Sequence, residues 1–106
     1  MITESQLTVM KSALRKYGRK NQVIKAIEEF SELSAILSKY ACHDLEKDGY
    51  DKELHDKIAI EMADARIMWE QLYELILPAS TMIRVDKAIE SQIHRLEDKI
   101  QNDKKP

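Results

Sequence analysis

Residues 52–76 read KELHDKIAIEMADARIMWEQLYELI. No glycine or proline interrupts them, and the next proline is Pro78. The residue before a proline avoids helical backbone, so one helix is expected from about Lys52 to Ile76. At ~1.5 Å per residue it would be roughly 38 Å long. A helix of that length in a chain of 106 residues points to a helical bundle. Its apolar row is unusual. Lys57, Glu61, Asp64, Met68, Leu72 and Leu75 share one stripe at spacings of three and four. Two acids therefore lie in a row whose other members face a core.

The rest of the chain is also helical in pattern. It has two glycines and two prolines, and Leu, Ile, Met, Ala, Glu, Lys and Gln fill the stretches between them. Valine occurs only at positions 23 and 85, and aromatic residues are 6% of the chain, so strands have little to be built from. The fold class is all-α. A first helix is expected from about Ile2 or Thr3 to Tyr17, with Thr3 and Gln6 at capping-box spacing and Gly18 as its stop. A second is expected from the N-cap Asn21 to about Lys47, with fraying near Cys42 and a turn at DGYD, residues 48–51. A fourth begins near Ser80 and carries Met82, Ile83, Val85, Ile89, Ile93, Leu96 and Ile100.

The two long central helices are joined by a short turn and should pack antiparallel. The expected architecture is an antiparallel four-helix bundle, one domain over residues 1–102, with 103–106 a disordered tail. So small a chain buries a thin core, which favours assembly as a homodimer or homotetramer. The fourth helix has spacings of 4, 4, 3 and 4 from Val85 to Ile100, suited to a coiled-coil-like interface.

Composition excludes several classes. Charged residues are 34% of the chain, yet the net charge is −2, so there is no basic excess for nucleic acid. No apolar run is long enough to span a bilayer and no signal-peptide pattern opens the chain. Cys42 is alone and has no intrachain disulfide partner. The expected location is the cytoplasm. His43, His55 and His94 show no metal spacing, and adjacent Cys42 and His43 diverge on a helix. No glycine-rich phosphate loop is present.

Residues 28–33 read EEFSEL and supply a second set of acids. On a helical wheel Lys25, Glu29, Glu32 and Ile36 fall within a stripe about 60° wide. Glu28 lies farther round. An antiparallel pair with its turn near residue 49 puts Glu32 17 residues before the turn and Glu61 12 after it. The two acid sets are then within about one to one and a half turns of each other. Buried, unpaired carboxylates are costly, and several together repel. A divalent cation resolves both problems, and oxygen-only ligands select Mg²⁺ or Mn²⁺. The simpler alternative pairs the acids with Lys25 and Lys57 in a non-enzymatic helical oligomeric interaction module.

The two-part pattern resembles a family. Glu28-Glu29-Phe30-Ser31-Glu32, a gap of 28 residues (33–60), and Glu61-Met62-Ala63-Asp64 are similar to the EExxE…ExxD signature of the MazG-like all-α nucleoside triphosphate pyrophosphohydrolases. Gln22, Lys25, ADARIMWEQL and RLEDKI add to the likeness, which covers about residues 17–100. The resemblance implies hydrolysis of (deoxy)nucleoside triphosphates to monophosphate and pyrophosphate, with Mg²⁺ or Mn²⁺ as cofactor and a housekeeping role in the nucleotide pool. By motif position Glu29, Glu32, Glu61 and Asp64 would be metal ligands. Glu28 would hold a second ion or orient the attacking water. Lys25 and Arg95 would contact phosphate, with Lys87 an alternative because Gln92 stands where relatives often have a lysine. Tyr17, Asn21, Gln22 and Trp69 would line a base pocket.

Overall fold

The structure is a computed structural model that describes residues 2–103. It is all-helical, with no strand among the described residues. The elements are α1 (Glu4–Tyr17), α2 (Arg19–Cys42), α3 (Leu45–Asp48), α4 (Lys52–Gln71), a π-helical turn (Leu72–Ile76) and α5 (Ala79–Asp103).

The start of α1 is the expected capping box. The Gln6 N–H donates to Thr3 Oγ1 at 3.1 Å, and the Thr3 N–H donates to Gln6 Oε1 at 2.9 Å. Gly18 closes α1 and directly precedes α2. Its φ of 85° and ψ of 158° lie where side chains with a Cβ rarely go. The helix therefore starts two residues before the expected N-cap. Asn21 sits inside α2, and its amide donates to the Tyr17 carbonyl at 2.8 Å, tying the two helices across the glycine.

The expected second helix to Lys47 is two pieces. α2 stops at Cys42, His43 is extended, and Asp44 caps α3 by accepting from the Glu46 and Lys47 N–H groups. A competing side-chain acceptor thus restarts the helix. His43 Nε2–H donates to the Gly49 carbonyl at 2.6 Å and closes the connection. Asp51 caps α4 by accepting from the Leu54 N–H at 3.0 Å.

α2 and α4 run antiparallel as their meeting residues show. Tyr40 of α2 sets its ring edge-on to His55 of α4, and Glu32 meets Glu61 farther along. Their buried face holds Ala26 and Ile36 from α2, Ala65 and Met68 from α4, and Met10 from α1. Gln22, Glu29 and Gln71 are also buried there, so three polar side chains share a core with five apolar ones.

The end of the 52–76 segment departs from the expected single α-helix. After Gln71 the backbone widens into a π turn, then ends at Leu77 ahead of Pro78. The chain divides into two compact units, one ending at Ile76 and the other beginning at Leu77. The second unit is α5, which starts one residue before the expected Ser80 and includes Asp103. Residues 104–106 of the expected tail lie outside the described residues. None of the α5 residues is buried, and Ile83, Ile89, Ile93, Leu96 and Ile100 are each about half exposed. No helix among the described residues is long and apolar enough to cross a membrane.

Candidate metal centre

The acids of α2 and α4 come together. Glu29, Glu32 and Glu61 each offer a carboxylate oxygen, and these oxygens all lie within 4.8 Å of one another. Glu29 is buried, Glu61 half-buried and Glu32 exposed, so the cluster opens to solvent on one side. Helix period explains the pairing on α2, where positions 29 and 32 share a face. Register explains the third member. Glu32 is ten residues before the last residue of α2, and Glu61 is nine after the first of α4. The ends of the helices, not the glycine turn, set the level. The break at His43 removes the offset expected from a turn at residue 49.

Glu29 carries the main observation. Its side chain is 8% exposed. One oxygen, Oε1, is 2.9 Å from Lys25 Nζ. The other, Oε2, is buried with no hydrogen-bond partner, and so is Glu61 Oε2. A buried carboxylate oxygen without a donor costs desolvation energy. Of the three buried side-chain atoms without a partner among the described residues, these two belong to the triad and the third, Gln71 Oε1, does not. A cluster of hard, oxygen-only donors with unsatisfied lone pairs fits a hard divalent cation.

The electrostatics agree. The negative charge of Glu29 pushes the Glu32 carboxyl above its ordinary value, with desolvation and then Glu61 adding to the effect and Lys25 opposing it. The hydrogen bond and charge of Glu29 raise the Lys25 ammonium above the ordinary lysine value, helped by Glu28 and Glu32. The field at this spot is that of a site short of positive charge.

The remaining expected residues divide. Asp64 lies half-buried on α4 one turn beyond Glu61 and is not part of the triad. Glu28 is exposed and 3.9 Å from Lys25. Tyr17, Asn21 and Gln22 line one cavity of about 520 Å³ together with Ala13, Lys25 and Met68. Lys25 therefore touches both the cavity and the acid cluster. Trp69 is not among the cavity's lining residues; its ring stacks on Tyr73 at 6.4 Å. Lys87 and Arg95 are exposed on α5, in the second unit. Ala13 and Met68 are cavity walls beyond the expected set, and Lys25 pairs with Glu29, as the simpler sequence reading expected, while also bordering the cavity. The i,i+4 spacing of Lys25 and Glu29 was the available signal for that pair.

No family model matches the chain, and no curated protein and no solved structure matches it.

Proposed function

We propose that the protein is a Mg²⁺-dependent, MazG-like pyrophosphohydrolase that converts (deoxy)nucleoside triphosphates to monophosphate and pyrophosphate. The observation that carries this reading is the pair of orphaned buried oxygens, Glu29 Oε2 and Glu61 Oε2, within a triad of carboxylates. The EExxE…ExxD resemblance supports it from the sequence side.

Glu29, Glu32 and Glu61 would hold the ion, with Asp64 one turn along α4 as a further ligand. Mg²⁺ bound there supplies Lewis acidity and neutralises triphosphate charge. The protein's own groups have separate tasks. The Lys25 ammonium, between cluster and cavity, attracts the phosphate chain. Tyr17 offers a ring face for the base, and Asn21 and Gln22 offer amides for its edge. Glu28, exposed beside Lys25, would orient the attacking water and take its proton. Water adds at the α-phosphorus, the α–β anhydride bond breaks, and pyrophosphate leaves.

In this reading the subunit is an antiparallel four-helix bundle within a cytoplasmic homodimer or homotetramer. The small core and the half-exposed isoleucine row of α5 favour such assembly. The same row, with the Lys25–Glu29 pair, also favours a second reading: a non-enzymatic oligomeric interaction module whose acids form salt bridges.

Incubation with each common (d)NTP and Mg²⁺, with monophosphate and pyrophosphate quantified, separates the two. Equimolar products from at least one triphosphate are expected. Absence of turnover together with no Mg²⁺-induced stabilisation selects the interaction module.

A further inference from the structure

One residue belongs to two places at once. Lys25 Nζ is 2.9 Å from Glu29 Oε1 and 3.9 Å from Glu28 Oε2, while the same side chain lines the cavity of Tyr17, Asn21, Gln22 and Met68. Its side chain is 51% exposed, so rotation about its flexible stem is not blocked by packing. Glu29, by contrast, is fixed in the core at 8% exposure. The mobile partner of this ion pair is the lysine.

We propose that Lys25 is an exchangeable counter-ion. A divalent cation arriving at Glu29, Glu32 and Glu61 takes over the charge of Glu29 and releases the ammonium into the adjoining cavity, where it binds the phosphate of an anionic ligand. The proposal rests on the metal-site reading above. Its physical basis is that an ammonium and a dication on one carboxylate repel at close range. The cluster needs one compensating cation; when a dication supplies it, the lysine is surplus there. The nearest alternative place for it is the cavity it already borders. Metal binding thereby creates the anion site, and anion binding is weak until the metal is present. Such coupling between two ligands is reciprocal.

The test follows the Lys25 ammonium directly by NMR of lysine Nζ groups in isotopically labelled protein, with the signal assigned by its loss in Lys25→Arg. Calorimetry measures Mg²⁺ binding in parallel. The expected result is that the Lys25 signal moves in step with Mg²⁺ occupancy, and that inorganic phosphate shifts it again only when Mg²⁺ is present. A Lys25 signal that stays still while calorimetry records Mg²⁺ binding overturns the exchange and leaves the metal site standing. No Mg²⁺ binding by the native protein overturns the metal site and the exchange together. Lys25→Met gives a second readout. Its Mn²⁺ affinity should be equal to or tighter than that of the native protein, by up to about fivefold, the scale of one half-exposed ion pair. Its Mg²⁺-dependent phosphate binding should be lost. Weaker Mn²⁺ binding in this variant, or unchanged phosphate affinity, identifies Lys25 as a fixed support for Glu29 and overturns the proposal.

Discussion

Glu29 and Glu61, on different helices and 32 positions apart in the chain (61 − 29), each keep one buried oxygen without a hydrogen-bond donor, and they do so in the same cluster. Buried polar atoms in folded proteins are nearly always satisfied. The metal-site reading proposed above accounts for both of these atoms with one cation, and leaves Gln71 Oε1, the third such atom among the described residues, outside it.

Glu29→Gln tests this explanation without changing shape. The amide removes one negative charge and repulsion with Glu32 and Glu61, and gives up the ion pair with Lys25, whose end of the pair is half exposed and screened by solvent. The metal-free variant should melt at or above the native temperature. Turnover should fall by more than the roughly 10–100-fold typical of losing an outer-shell metal partner. Circular dichroism melts and product quantification measure the two effects.

Mg²⁺ should raise the melting temperature of the native protein. A ligand at 100 times its Kd stabilises the folded state by about 2.7 kcal/mol. For a domain of this size that is a shift on the order of 10 °C. EDTA should reverse it, and Glu61→Gln should show little of it. Differential scanning calorimetry with and without Mg²⁺ reads the shift.

The raised Glu32 carboxyl sets a pH dependence. The folded state holds the Glu32 proton more tightly than the unfolded chain does. Its contribution to stability is therefore fully present below the ordinary carboxyl value of 4.5, and is lost as pH rises through the raised folded value. Metal-free protein should lose denaturant resistance over that interval. Glu32→Gln should flatten this part of the profile, and saturating Mg²⁺ should oppose the loss above it. Urea midpoints across pH check the sign.

Gly18→Ala should destabilise the junction of α1 and α2. Nothing lies within 4 Å of the added Cβ, so the cost is backbone strain at φ 85° and not a clash. Strain of this kind costs about 1–3 kcal/mol. Tyr17 and Asn21 flank the glycine and line the cavity, so ligand affinity should fall along with stability. Denaturant titration and calorimetric binding separate the two losses.

Ile93→Glu tests the apolar row of α5. Ile93 is 57% exposed in the single chain. In a homo-oligomer joined through this row, a charge there should lower the assembly to monomers in sedimentation velocity. The helix content should be unchanged, because Ile93 is more than half exposed.

Much of this protein is legible in its sequence because helices are made by local interactions. The Thr3–Gln6 capping box, the stop at Gly18 and the end before Pro78 all depend on residues within one turn of each other. The face shared by Lys25, Glu29 and Glu32 follows from the helical period alone. The absence of strands among the described residues follows from a composition poor in valine and aromatic residues.

Other features depend on competition or on distance. Asp44 carries a cap that outcompetes continuation of α2, so the helix stops at Cys42, where fraying was expected, and restarts as α3. That break moved the hairpin register and brought Glu61 level with Glu32. The π turn after Gln71 is likewise not set by the apolar pattern of the segment. The local chain by itself determined which residues face the same way on each helix. Only the tertiary structure decided that Glu29, Glu32 and Glu61 would form the triad without Asp64, because the level at which two helices meet is set by where both of them end.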